Sequence, residues 1–290
     1  MTTRSVIFIA ASFLLALAVS STPLSKTANG ELTAPDLIAK HLESIGKAGA
    51  RQAVKTRIIS GTSLVVFRTV PTGQAAGLCV LASDGPKNLI GMSFRSPVYP
   101  QEEFAFNGSS FIAAFVTPGV RSSLGSFLMM QGVIFQQGLM GGALSSAWPL
   151  LSIQDKNVKV EYAGTKKVNG QVLHELKYIP KAGTELQISL FFDEATARHV
   201  RTEYRRLIPA VTGDRSYGNV QERESRYKLV EEFSEFKEEA GLTLPHQYKI
   251  EFSADTHAGT FLAEWTLVLN KFVFNEPIDQ NSFNISAPKD

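Results

Sequence analysis

The sequence contains one cysteine, Cys79, so no disulfide can form within the chain. A chain of 290 residues needs no such staple, because at this size on the order of three quarters of the unfolded surface can be buried. Cys79 sits in the apolar run Leu78-Cys79-Val80-Leu81, which reads as a buried, structural thiol. An excess of charge of either sign is also lacking. The 29 Lys and Arg residues against 27 Asp and Glu leave a net charge of +2, too small to form an electrostatic footprint for nucleic acid. Apolar residues make up 44% and charged residues 19%, a balance that excludes disordered and fibrous classes.

Local chemical motifs are missing too. There is no Gly-x-Ser-x-Gly elbow and no phosphate-cradling loop, and His174-Glu175 lacks the second histidine of a zinc helix. No catalytic residue, metal site or cofactor is therefore expected. The most informative scarcity is regional: the 51 residues from Phe104 to Gln154 carry a single charge, Arg121, where composition predicts about ten. That stretch is kept from water or faces an apolar partner.

What is present begins with Arg4, the apolar run Val6 to Val19 and small residues near Ala16, Ala18 and Ser20. This is the pattern of a secretory signal over residues 1–21, with export to a periplasm-like compartment. No Cys stands at the cut, so lipid attachment to a new N-terminal Cys is excluded. Thr33-Ala34-Pro35-Asp36 then opens a helix with an N-cap hydroxyl, Pro and an acid, continued by Leu37, Ile38, Leu42 and Ile45 and ended by Gly46 or Gly49.

From Val54 the period changes to two. Three β-branched and aromatic runs precede the uncharged stretch, two more, Glu103 to Phe106 and Ser110 to Thr117, fall at its start, and seven follow it, separated by turns such as Asp84-Gly85-Pro86 and Asn169-Gly170. Strand follows strand without intervening crossover helices, so residues 22–290 are expected to form one large antiparallel sheet. Within the uncharged stretch Leu124, Phe127, Leu128, Ile134, Phe135 and Leu139 share one helical face, opposite Ser122, Gly125, Ser126, Gly132 and Gln136. Gly138, Gly141 and Gly142 form a joint before the apolar piece Leu144 to Leu151, which contains Trp148-Pro149. Glutamines, glycines and serines interrupt the run too often for a membrane span. An ordinary core helix and a lid over about 121–151 closing an apolar cavity both fit. The lid reading makes Phe127, Leu128, Ile134, Phe135, Leu139, Leu144 and Trp148 the cavity lining.

The remaining polar groups read as structural. His174 lies on an apolar strand face as a hydrogen-bonded histidine. Asp193-Glu194 reads as a solvated turn pair, and the run Glu231, Glu232, Glu235, Glu238, Glu239 as a solvated strand face.

The order of several short motifs resembles the outer-membrane lipoprotein-sorting proteins related to the periplasmic carrier LolA, in a divergent branch. They include Ile45-Gly46 followed by Gly61, the stretch Leu139-Met140-Gly141-Gly142-Ala143-Leu144 through Trp148-Pro149, and Val168-Asn169-Gly170 with His174-Glu175-Leu176. Phe191-Phe192-Asp193-Glu194, His199 to Tyr204, Phe233-Ser234-Glu235-Phe236 and Asn275-Glu276-Pro277-Ile278 continue the order. The resemblance implies a mainly β fold, an incomplete antiparallel barrel with helices over its concave apolar face, and a lipid, acyl-chain or lipoprotein partner. A structural or protein-interaction module of the envelope, without a small-molecule ligand, is the alternative.

Overall fold

The first local decision is a cap. Thr33 accepts the Asp36 N–H and the Asp36 carboxylate returns to the Thr33 N–H and hydroxyl, a reciprocal box that fixes the start of α1 (Ala34–Ile45). Its inner face is Leu37, Ile38, His41 and Ile45. Gly46 ends α1 as expected, and a second short helix, α2 (Ala48–Ala53), follows at once and contains Gly49. The computed structural model describes residues 32–69, 71–156, 158–180, 183–210 and 224–285. The expected signal at 1–21 and its boundary lie outside them.

The twelve apolar runs are twelve strands. The first five are β1 (Thr56–Phe67), β2 (Gly73–Asp84), β3 (Lys87–Phe94), β4 (Gln101–Phe106) and β5 (Phe111–Ala113). After the uncharged stretch come β6 (Val158–Val168), β7 (Gln171–Pro180), β8 (Gln187–Asp193), β9 (His199–Ile208), β10 (Ser225–Glu239), β11 (Leu242–Thr256) and β12 (Gly259–Phe274). They form one sheet in the order β5-β4-β3-β2-β1-β12-β11-β10-β9-β8-β7-β6, with β1 and β12 joining two meanders antiparallel. The sheet is open: β5 and β6 are its two edges. The chain between them therefore crosses from one edge to the other, and it crosses over the concave face. An edge-to-edge connection laid on an apolar surface cannot carry charge without a partner, which is the physical reason for the uncharged stretch.

Alternation sends one face of each strand into the core. In β11, Leu242, Leu244, Tyr248, Ile250 and Phe252 are all buried. On the opposite face a small cluster of Ala82, Leu89 and Ala105 is covered by Phe283 and Ile278 of the C-terminal segment. Two strand glycines permit close approach. A Cβ on Gly61, at the bulge in the β1–β12 register, would stand 1.9 Å from the Val268 carbonyl oxygen, and one on Gly77 would stand 1.6 Å from that of Ser93. Gly61→Ala is expected to lower unfolding stability by about 2 kcal/mol, read as a shift in the urea midpoint at unchanged slope; an unchanged midpoint would refute the steric account. No helix among the described residues is long and apolar enough to cross a membrane.

Candidate functional site

The crossing segment is built of short pieces: α3 (Ser123–Met130), α4 (Val133–Gln136) and 3-10 turns at Gly142–Leu144 and Pro149–Asp155. The helical spacing seen in the sequence thus belongs to two helices. Gln131, at φ −116° and ψ 42°, breaks the first, and Gly138, Gly141 and Gly142 take positive φ values that exclude helix continuation. At Gly142 the need for glycine is twofold, since a Cβ there would also lie 2.8 Å from His199 Nδ1.

All seven side chains expected to line a cavity are buried, at 0–1% exposure, and belong to one core cluster. Phe135 stacks on Phe111 at 4.6 Å, near the β5 edge, while Phe127 packs on Phe252 at 5.1 Å and Tyr227 at 5.6 Å. The segment fills the concave face as a plug. Two cavities that it helps line hold about 10 Å³ each, room for about one water. Leu144 is the one of the seven that borders either of them.

Polar tethers from the sheet and α1 hold this plug along its length. At its start the Glu102 carboxylate accepts the Ser122 hydroxyl at 2.7 Å, and Ser122 in turn caps α3 through the Gly125 N–H. Asn88 Nδ2 reaches the Phe135 carbonyl at 3.4 Å, and the Tyr178 hydroxyl donates to Gln137 at 2.8 Å. At the glycine joint the Glu231 carboxylate accepts the Gly141 N–H at 2.7 Å, while the Tyr248 and Tyr204 hydroxyls donate to it at 2.6 and 2.7 Å. Arg57 donates to the Ala143 carbonyl, and Ser83 Oγ accepts the Ser146 N–H at 2.9 Å.

The last tether is aromatic. The Trp148 indole stacks on His199 at 4.7 Å and donates its N–H to His41 Nε2 at 3.1 Å. The His41 Nδ1–H faces the Ala197 carbonyl at 3.2 Å, so the two contacts together fix the neutral tautomer.

Burial governs the electrostatics. Desolvation pushes both Glu102 and Glu231 up to about 7, against hydrogen bonds that favour the charged form. It pulls His41 down to about 4, and His199, with His41 beside it, well below the ordinary histidine value. Arg57 is drawn down to about 10 by the same cause. Burial also pushes the Cys79 thiol up to about 12, which fits an unreactive core residue.

Glu231 corrects the sequence expectation. It is fully buried, whereas Glu235 and Glu238 of the same run are exposed. The signal was present, because Glu231 falls two residues from both Leu229 and Phe233, on the inward face of β10. Arg57, Glu102 and His41 were missed for a related reason: each is a polar residue turned inward, and its partner in the plug lies well away along the chain. His174 does bond the Tyr162 hydroxyl at 3.0 Å, and Asp193 holds its turn through Thr196.

No family model and no curated protein matches the sequence. Among solved structures the chain is similar to a LolA superfamily protein from Nitrosomonas europaea, at 12% identity and TM-score 0.46, over 87% of this chain and 97% of that one. It is also similar to an outer-membrane lipoprotein-sorting protein domain from Vibrio parahaemolyticus, at 15% identity and TM-score 0.39, over 85% and 97%. A DUF1329 family protein from Desulfovibrio piger matches at 10% identity and TM-score 0.41, over 86% and 96%. The open sheet follows from the strand order and register.

Proposed function

We propose that this protein is a non-enzymatic, exported carrier of an acyl or other lipid-like ligand, with residues from about 121 to 151 as a displaceable lid in its closed position. One observation carries the reading: an uncharged, glycine-jointed segment fills the concave face and is held there by separate polar contacts. Each neutral hydrogen bond contributes about 1 kcal/mol net. An entering acyl chain contributes roughly 0.8 kcal/mol per buried methylene, so a long chain can offset lid opening without any charged recognition group. The seven apolar side chains of the plug would then line the ligand on one side and the strands on the other. Export and an envelope location rest on the N-terminal signal pattern.

The test combines mass spectrometry of organic extracts from purified protein with displacement of a fluorescent fatty acid. Co-purified lipid and saturable displacement are expected; extracts without lipid, together with no displacement, would sink the carrier reading. A second reading is favoured by how little space remains beneath the plug. In it the protein is a structural or protein-interaction module of the envelope, the plug is permanent core, and a specific envelope protein is captured instead.

A further inference from the structure

The buried face of the sheet ends in a polar row. Arg57 of β1 pairs with Ser83 of β2, which pairs with Asn88 of β3. All three side chains are buried. The next inward row is Ile59, Leu81 and Ile90, and the one beyond it on β2 and β3 is Cys79 and Met92. Over β1, β2 and β3 the trough therefore changes from polar at the end nearest the β2–β3 turn to apolar through the Ile59 and Cys79 rows, beyond which Ser63 is again polar, and Glu102 of β4 stands beside Met92.

This polar row is incompletely satisfied. The Arg57 guanidinium has one acceptor, the Ala143 carbonyl, and its Nε has none. Among the described residues no carboxylate pairs with it, an arrangement that is ordinarily destabilising for a buried cation. Asn88 Oδ1 is a second orphan in the same row. Plug backbone reaches each member of the row: the Ala143 carbonyl on Arg57, the Ser146 N–H on Ser83 and the Phe135 carbonyl on Asn88 Nδ2, which the Pro86 carbonyl of the β2–β3 turn also meets, at 3.5 Å. A neutral carbonyl thus stands where a guanidinium fork would hold an oxyanion better.

Resting on the carrier reading, we propose that Arg57, Ser83 and Asn88 form the binding site for the anionic head, carboxylate or phosphate, of a single-chain amphiphile whose tail runs along the apolar rows once the plug is displaced. In the closed state the Ala143 carbonyl substitutes for that head. In the loaded state Arg57 pairs with the oxyanion while the Ser83 hydroxyl and Asn88 amide donate to it, and the plug relinquishes all three contacts together.

The experiment measures binding of a fatty acid, an alkyl phosphate and the fatty acid methyl ester, all of one chain length, at pH 8. Wild type is expected to bind the better of the two anions at least tenfold more tightly than the ester, and the tighter anion identifies the source of the head. Arg57→Gln should bring the anions down to the affinity of the ester without weakening ester binding, while Arg57→Lys keeps part of the preference. Should Arg57→Gln fail to fold by near-UV circular dichroism, Asn88→Asp, which sets a carboxylate against the anionic head and beside Arg57, reads the same contrast. Equal binding of anions and ester by wild type, or parallel loss of both in the variant, overturns the head site and leaves the carrier reading standing. If wild type binds none of the three, both fail.

Discussion

Trp148→Ala is expected to lower unfolding stability by about 4 kcal/mol, within the range for removing a large buried aromatic. Trp148 joins three parts of the chain: it sits in the crossing segment, stacks on His199 of β9 and donates to His41 of α1. Truncation empties an indole-sized space and leaves His41 Nε2 without a donor, two separate costs. Two further measurements isolate them. Trp148→Phe fills most of the space without restoring the N–H, so its loss should fall to about 1–2 kcal/mol. Free indole should raise the melting temperature of Trp148→Ala and not that of wild type, by binding the vacated site. If Trp148 is also the main hold on a lid, the alanine variant should bind a fluorescent fatty acid more tightly than wild type, because less closing energy opposes entry. A variant as stable as wild type would refute the tether.

Removing the carboxylate of Glu231 has a comparable effect. Glu231→Ala leaves the Gly141 N–H and two buried phenols without their shared acceptor, with an expected cost of about 3–5 kcal/mol. Glu231→Gln keeps an acceptor and removes the titration, which makes it the informative variant. The folded protein holds Glu231 up at about 7, against an ordinary value of 4.5. Its contribution is thus fully present below pH 4.5 and is lost as the pH rises through 7. That loss is on the order of 3 kcal/mol, at about 1.4 kcal/mol per pKa unit. Glu102 acts in the same direction. His41 acts oppositely: its folded value is about 4 against 6.5, so its contribution is present above pH 6.5 and is lost as the pH falls through 4. His199 follows His41. Between pH 4.5 and 6.5 the two pairs oppose each other and the wild-type curve should be shallow. Glu231→Gln unmasks the histidines, so its stability should climb with pH across that window and gain on wild type up to about pH 7, levelling off above it. Urea titrations at a series of pH values decide this, and parallel curves for the two proteins would exclude Glu231 as the titrating group.

Legibility in the sequence followed the range of each interaction. The capping box of α1 lies within four residues and was readable, as was each strand, because alternation is a property of adjacent residues. The break between α3 and α4 was not, since Gln131 and the glycines past it take their conformations where the segment meets the sheet. His41 and Trp148 are 107 residues apart and Gly141 and Glu231 are 90 apart. No local pattern links such positions. Glu231 could have been placed inward by the alternation of β10, but its acidic neighbours masked it.

The sequence by itself determined twelve antiparallel strands, a capped first helix and an apolar segment that had to be sheltered from water, because hydrophobic periodicity and turn chemistry act locally. Only the tertiary structure decided that this segment runs between the two open edges of the sheet and fills its concave face. Strand pairing brings Glu102, Glu231, Arg57 and His41 beneath the segment from distant parts of the chain, and the low polarity of that interior turns each of them into a tether.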